Sequence, residues 1–249
     1  MTNLYGELPG DLEPLPRPER VLTIGAHPDD AEFGAGATLA RWISLGTQVT
    51  MCVVTDGSKG SWNAEEDVAA LIATRVDEQR RSADLLGVVE VVHLGYIDGA
   101  LEYSMDLRKR LASQIRRTRP EVVLSHDPWQ RYQMHPDHRA TGQAAVDAVV
   151  DAREPLAHTD LPHAAHRPST LLLWSADEPD HAEPIEPRWF GVKIEALLCH
   201  SSQSGTTMGD AAAGAEQRLR FEQQLAAWQD ECGAVFGIGP AETFKRITP

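Results

Sequence analysis

The sequence predicts an α/β protein built on a mostly parallel sheet. Three observations support this class. Short apolar runs rich in β-branched residues alternate with longer stretches of helical periodicity, and the alternation repeats four times. Glycine or proline closes the segments, at Gly25, Gly87 and Pro120. Clusters of histidine and aspartate follow the apolar runs, where a parallel sheet with right-handed crossovers opens its ligand crevice. At 249 residues the chain suits a single α/β unit with a large core, so one domain is expected over 1–249.

Residues 1–19 lack the basic start and apolar centre of a signal peptide, and Pro9, Pro14, Pro16 and Pro18 make them an extended arm. Val21–Ile24 is the first strand, broken by Gly25. A helix follows from Ala31, with Phe33, Ala37, Leu39, Ala40 and Ile43 on its apolar face. Thr47–Thr55 is a second strand, ended by Asp56-Gly57, and 57–66 is a polar loop. The spacing predicts a helix over 68–86, with Leu71, Ile72, Val76, Ala83, Leu85 and Leu86 toward the core, stopped by Gly87. On it Arg75 and Glu78 are neighbours, a spacing that most helices use for a solvated ion pair. Val88–Leu94 is a third strand and is followed by the loop Gly95–Gly99, which offers Asp98.

Leu107–Arg119 reads as a helix with a basic outer face, Glu121–Ser125 as the fourth strand, and Pro136 opens a helix to about Ala152. In the proline-rich connection 153–168, His158, His163 and His166 read as solvated rather than metal-binding. Ser169–Trp174 is a fifth strand, and His181–Glu186 a short edge strand bounded by prolines. Lys193–His200 is helical, and a last helix over 212–232 carries Leu219, Leu225 and Trp228.

Two strand-end loops hold the chemistry. The first is His27-Pro28-Asp29-Asp30, and the second runs from His126 to His135-Pro136-Asp137-His138. Adjacent carboxylates repel and lose solvation when buried, and a divalent cation offsets both penalties. Imidazole and carboxylate are a standard ligand set for such an ion. Alone, the first loop also reads as an N-cap, with Asp29 or Asp30 capping the helix. Two such loops falling on one crevice shift the balance to metal. The Gly34-Ala-Gly36 pair lacks the third glycine of a dinucleotide loop, and acidic groups stand where a pyrophosphate would sit. Asp137 is placed to hold the N–H of His135 and set its tautomer.

A formal net charge of −14 speaks against nucleic acid or an anionic membrane surface as a partner. The sequence contains no long apolar run, so no membrane span is expected. Cys52, Cys199 and Cys232 show no paired spacing and fit a reducing cytoplasm.

The segments AHPDD (26–30), RVDEQRRSADLLG (75–87), GYIDG (95–99), HPDHR (135–139), KIEALLCHSSQ (193–203) and AETFKRI (241–247) together resemble the LmbE-like, PIG-L-type zinc N-deacetylases. The resemblance runs through most of the chain in the right order, and the AHPDD and HPDH pair is its specific part. It implies a Rossmann-like three-layer α/β sandwich. It implies that His27, Asp30 and His138 are zinc ligands with a coordination position open to water, Fe2+ or another divalent metal being the alternative. By the same resemblance Asp29 is the general base, His135 serves the oxyanion or the leaving amine with Asp137 orienting it, and Arg75 and Asp98 hold sugar hydroxyls. His200 matches a histidine that in some oligomeric relatives reaches into a neighbour's site, so a substrate contact and a homo-oligomer are both implied. Some relatives carry a tyrosine two residues before the HPDH histidine, where this chain has Gln133 beside Tyr132.

The expected activity is removal of an N-acetyl or other N-acyl group from an amino sugar or its conjugate, the substrate being a small molecule. The alternatives are an amidase of a thiol–sugar conjugate of the mycothiol type and a non-catalytic sugar-binding domain. A binder has no need of Asp29 as a base.

Overall fold

In the computed structural model, which describes residues 13–249, seven strands form one sheet in the order β3-β2-β1-β4-β5-β7-β6. The strands are β1 (Arg20–Gly25), β2 (Gln48–Thr55), β3 (Glu90–Tyr96), β4 (Val122–His126), β5 (Thr170–Trp174), β6 (His181–Pro184) and β7 (Ala241–Ile247). The first five are parallel, and β7 runs antiparallel between β5 and β6. The helices are α1 (Asp30–Ser44), α2 (Val68–Leu86), α3 (Met105–Thr118), α4 (Pro136–Arg153), α5 (Pro187–Leu198), the short α6 (Ser204–Thr207) and α7 (Ala215–Val235). Most of the expected extended arm, residues 1–12, lies outside the described residues, and 13–18 hold no regular element.

Side-chain alternation along the strands sorts the core onto two faces. Leu22 and Ile24 of β1 pack with Leu107, Leu111 and Ile115 of α3 and Ala144 and Ala148 of α4. Val21, from the opposite face of the same strand, joins Leu39 and Trp42 of α1, Leu86 of α2 and Ala196 of α5. The result is helix layer, sheet, helix layer, the three-layer α/β sandwich expected.

The topology fixes where a site can form. From β1 the chain leaves toward β2 and β3 on one side, and β4 and β5 lie on the other. The strand order reverses between β1 and β4, so a crevice opens beyond their carboxyl ends. His27 follows β1 and His126 closes β4, paired in register through Ile24 and Ser125.

Three elements depart from the expectations. The end of the chain, AETFKRI, had no strand assigned, yet it forms β7 inside the sheet and leaves β6 at the edge. Helix α5 begins at Pro187 rather than Lys193. On α7 Leu225 is buried, together with Phe221, Gln229 and Gly233, while Leu219 and Trp228 are 52% and 41% exposed. A pattern of isolated apolar residues leaves the rotation of a helix undetermined, and packing against Ile194 and Leu197 of α5 selected the stripe of Phe221 and Leu225.

Candidate active site

The loop after β1 turns on Asp29, whose φ of 99° puts a non-glycine residue in left-handed space. Asp29 occupies the N-cap position of α1, but its carboxylate makes no capping bond. Its backbone N–H donates to Gln79 Oε1 at 3.0 Å. Its Oδ2 is buried without a hydrogen-bond partner, and the nearest cation is Arg75 Nη2 at 3.8 Å. Burial pushes the Asp29 carboxyl up to about 6, against the pull of Arg75. A backbone strain and an unpaired buried oxygen at one residue are what a reactive group shows and a cap does not.

His27, Asp30 and His138 converge. His27 Nδ1 lies 3.2 Å from His138 Nε2 and 3.6 Å from Asp30 Oδ2, and His138 Nε2 lies 3.4 Å from Asp30 Oδ1. A tetrahedral ion with bonds of about 2.0–2.1 Å separates its ligands by about 3.3 Å, and the donor atoms of these three residues are spaced comparably, the contact to His27 coming from Asp30 Oδ2 and that to His138 from Oδ1. The far nitrogen of His27, Nε2, faces Asp137 Oδ2 at 3.1 Å and Asp98 Oδ1 at 3.2 Å. Those carboxylates keep the proton on Nε2 and leave Nδ1 free to ligate. Burial alone would depress this imidazole, but the bonds to Asp137, Asp30 and Asp98 outweigh it and raise its pKa to about 12. Without a metal, so many carboxylates hold a proton on His27.

Asp137 therefore does not orient His135 through its carboxylate, as expected. That carboxylate accepts from Gly99 N at 2.6 Å and Leu101 N at 3.3 Å as well as from His27, so the β3–α3 loop and the β1 loop share it. What holds His135 is the Asp137 backbone N–H, donated to His135 Nδ1 at 3.3 Å, with His135 capping α4. An accepting Nδ1 leaves Nε2–H as a donor. Burial and the neighbouring His27 and His138 lower the His135 pKa.

Arg75 is no surface partner of Glu78. It is 3% exposed and donates to Gly57 O at 3.0 Å and Pro28 O at 2.8 Å, tying two strand-end loops together. Glu78 instead accepts from Ser201 and Ser202. Asp98 lies within reach of Arg75 Nη1 at 3.9 Å and accepts from Lys59 N. Both Arg75 and Asp98 border the cavity; the two terminal nitrogens of Arg75 hold the loops, while its Nε is buried without a hydrogen-bond partner. His200 departs further from the expectation: it is completely buried in its own subunit, 3.5 Å from Glu32 Oε1, and does not line the cavity. Tyr132 is 89% exposed, and Gln133 accepts from the His135 N–H, so no tyrosine enters the site from this loop.

The cavity above these groups measures about 410 Å³. Its lining includes Asp29, His135 and His138 together with Trp62, Trp228 and Thr206, a mixture of aromatic and hydrogen-bonding groups that suits a polyhydroxylated ligand. Sequence reasoning missed Gln79 and gave His126 little weight. Gln79 lies one helical turn beyond Arg75, a signal available in the sequence. Trp174, which ends β5, hydrogen-bonds His126, and only the strand order brings these two together.

The model of the PIG-L family, described as GlcNAc-PI de-N-acetylase, matches residues 22–149. The chain is 34% identical over 205 residues to the diacetylchitobiose deacetylase of Thermococcus kodakarensis, covering 77% of this chain and 72% of that protein. It is 27% identical to a probable N-acetyl-alpha-D-glucosaminyl L-malate deacetylase 2 of Bacillus anthracis, over 75% of this chain and 82% of the other. The N,N'-diacetylchitobiose deacetylase structure from Pyrococcus horikoshii, complexed with its inhibitor MPG, superposes with a TM-score of 0.82 and 29% identity over 93% of this chain and 84% of that one. The matched segment holds both strand-end loops, and the chain belongs to the PIG-L family of de-N-acetylases.

Proposed function

We propose that this protein is a zinc-dependent N-deacetylase of amino sugar conjugates, with His27, Asp30 and His138 as metal ligands. The observation that carries the reading is the buried, unpaired Asp29 oxygen next to a ligand triangle of zinc dimensions. The named relatives are a diacetylchitobiose deacetylase and a probable N-acetyl-alpha-D-glucosaminyl L-malate deacetylase, which supports the same acyl chemistry here. When bound, the ion supplies a Lewis acid for the carbonyl and acidifies the attacking water.

The chain's own residues do the remainder. Asp29 accepts the proton of the attacking water and returns it to the departing nitrogen, so that acetate and a free amine are the products. His135 donates from Nε2 to the oxygen that gains charge as the carbonyl becomes tetrahedral. Asp137 and Asp98 fix the tautomer of His27. The free cysteines support a reducing cytoplasm as the compartment.

The test is acetate release from N-acetylglucosamine conjugates by metal-loaded, chelated and Asp29→Asn protein. Chelation is expected to abolish turnover and zinc to restore it. Asp29→Asn is expected to keep its metal and lose about 10²–10⁴-fold in kcat, the usual contribution of a general base. Full turnover in either the chelated protein or the Asn variant would overturn the reading.

A further inference from the structure

His126, Asp30 and His138 form one of three groups of metal-capable donors among the described residues, and it shares Asp30 and His138 with the ligand set proposed above. The hydrogen bonds around His126 decide its role. Trp174 Nε1 lies 3.0 Å from His126 Nδ1, both buried. An indole N–H only donates, so Nδ1 is the accepting nitrogen and the ring proton sits on Nε2. At the other end, Nε2 lies 3.0 Å from Asp30 Oδ2, and a carboxylate only accepts. One donor-only and one acceptor-only group therefore impose the same tautomer from opposite sides. The Ala26 N–H also points at the same Nε2, at 3.3 Å, and competes with Asp30 for it; the Asp30 contact, at 3.0 Å, is the shorter and sets the proton on Nε2.

Asp30 Oδ2 thus receives two donors, His126 Nε2 and the His27 backbone N–H at 2.7 Å, while Oδ1 remains turned toward His138. The indole itself is fixed by Gly34: a Cβ there would fall 2.6 Å from the Trp174 ring.

We infer that Trp174 and His126 form a relay that positions Asp30 for the metal and bars His126 from ligating. The inference rests on the ligand assignment proposed above. Within it, His126 and Trp174 are positioning residues: neither supplies an atom to the ion, and each is needed to aim one that does. Partners of this kind are worth roughly 10–100-fold in metal affinity.

The experiment measures zinc affinity by chelator competition, together with imidazole 15N shifts of the metal-free protein. Trp174→Phe keeps the aromatic ring and removes the N–H. It is expected to weaken zinc binding by roughly 10–100-fold and to turn the single Nε2–H tautomer of His126 into a mixture. His126→Ala is expected to weaken binding to a similar degree, with His126→Asn recovering part of it through its amide donor. Trp42→Phe is the control, because the buried Trp42 N–H has no hydrogen-bond partner. Wild-type affinity in both Trp174→Phe and His126→Ala would overturn the relay. So would a loss in His126→Ala as complete as that in His138→Ala, which would make His126 a ligand. If the wild-type protein binds no zinc, the ligand assignment fails. The 15N tautomers then still report whether Trp174 governs His126.

Discussion

At Asp29 the backbone and the side chain are both held in unfavourable states. The left-handed φ of 99° costs a non-glycine residue about 1–2 kcal/mol, and the buried carboxylate lacks a hydrogen bond on Oδ2. Asp29→Gly removes both, so the metal-free variant is expected to unfold at higher denaturant, by about 1 kcal/mol, while losing turnover. Denaturation of Asp29→Ala, which keeps the strained φ, separates the two contributions. His200 supplies a pH prediction. Burial lowers its pKa, but the bond and charge of Glu32 outweigh that and raise it. A raised histidine adds stability below its unfolded value of about 6.5 and loses it as pH climbs through the folded value. The stability gap between wild type and His200→Gln is therefore expected to be largest near pH 6 and to shrink toward alkaline pH, read by urea titrations. The acidic loop was legible because adjacent carboxylates at a strand end need compensation whatever the fold. The partner of Asp137 was not, because His27 lies 110 positions away.

Helix α2 shows why pattern reading fails at an active site. Its inward face holds Arg75, Glu78, Gln79 and Ser82 as well as Leu71, Ala83 and Leu86. Apolar spacing alone turned Leu85 inward, yet it is 44% exposed. The polar stripe is buried because it backs the loop carrying Asp29 and the Glu32 carboxylate: Gln79 and Ser82 both donate to Glu32 Oε1. Helix α1 carries a second buried polar insertion. Lys193 Nζ donates to Phe33 O and to Glu242 Oε1, each at 2.7 Å, and Glu242 in turn accepts from the N–H groups of Ala37 and Thr38. An ion pair is thereby built into the backbone ladder of α1 next to Gly34 and Gly36. Lys193→Met leaves Glu242 buried and uncompensated and is expected to destabilise the protein by about 3–5 kcal/mol. A loss under about 1 kcal/mol in denaturant titration, the range of a surface pair, would show that the pair does not hold the helix.

For the whole molecule, the parallel sheet was readable from the alternation of strands and helices but its strand order was not, and the switch point between β1 and β4 explains why both acidic loops meet. No helix among the described residues is long and apolar enough to cross a membrane. A metal held by the folded state alone adds about 2.7 kcal/mol at a free concentration a hundred times its Kd. For a chain of this size that corresponds to a rise of about 5–10 °C in Tm. Zinc is expected to produce that rise in the wild type and none in His27→Ala, by scanning calorimetry before and after chelation. The insertion of β7 was not legible, because its seven residues carry no distinguishing alternation and their partners come from β5 and β6. That strand has a consequence for the order of events in the cell. Glu242, which completes the ladder of α1, stands 205 positions after Ala37. At ~5–20 residues per second, synthesis separates the two by roughly 10–40 s. Throughout that interval the N–H groups of Ala37 and Thr38, in the helix that bears Asp30, wait for the carboxylate that accepts from them, so this helix gains its last partner late in synthesis.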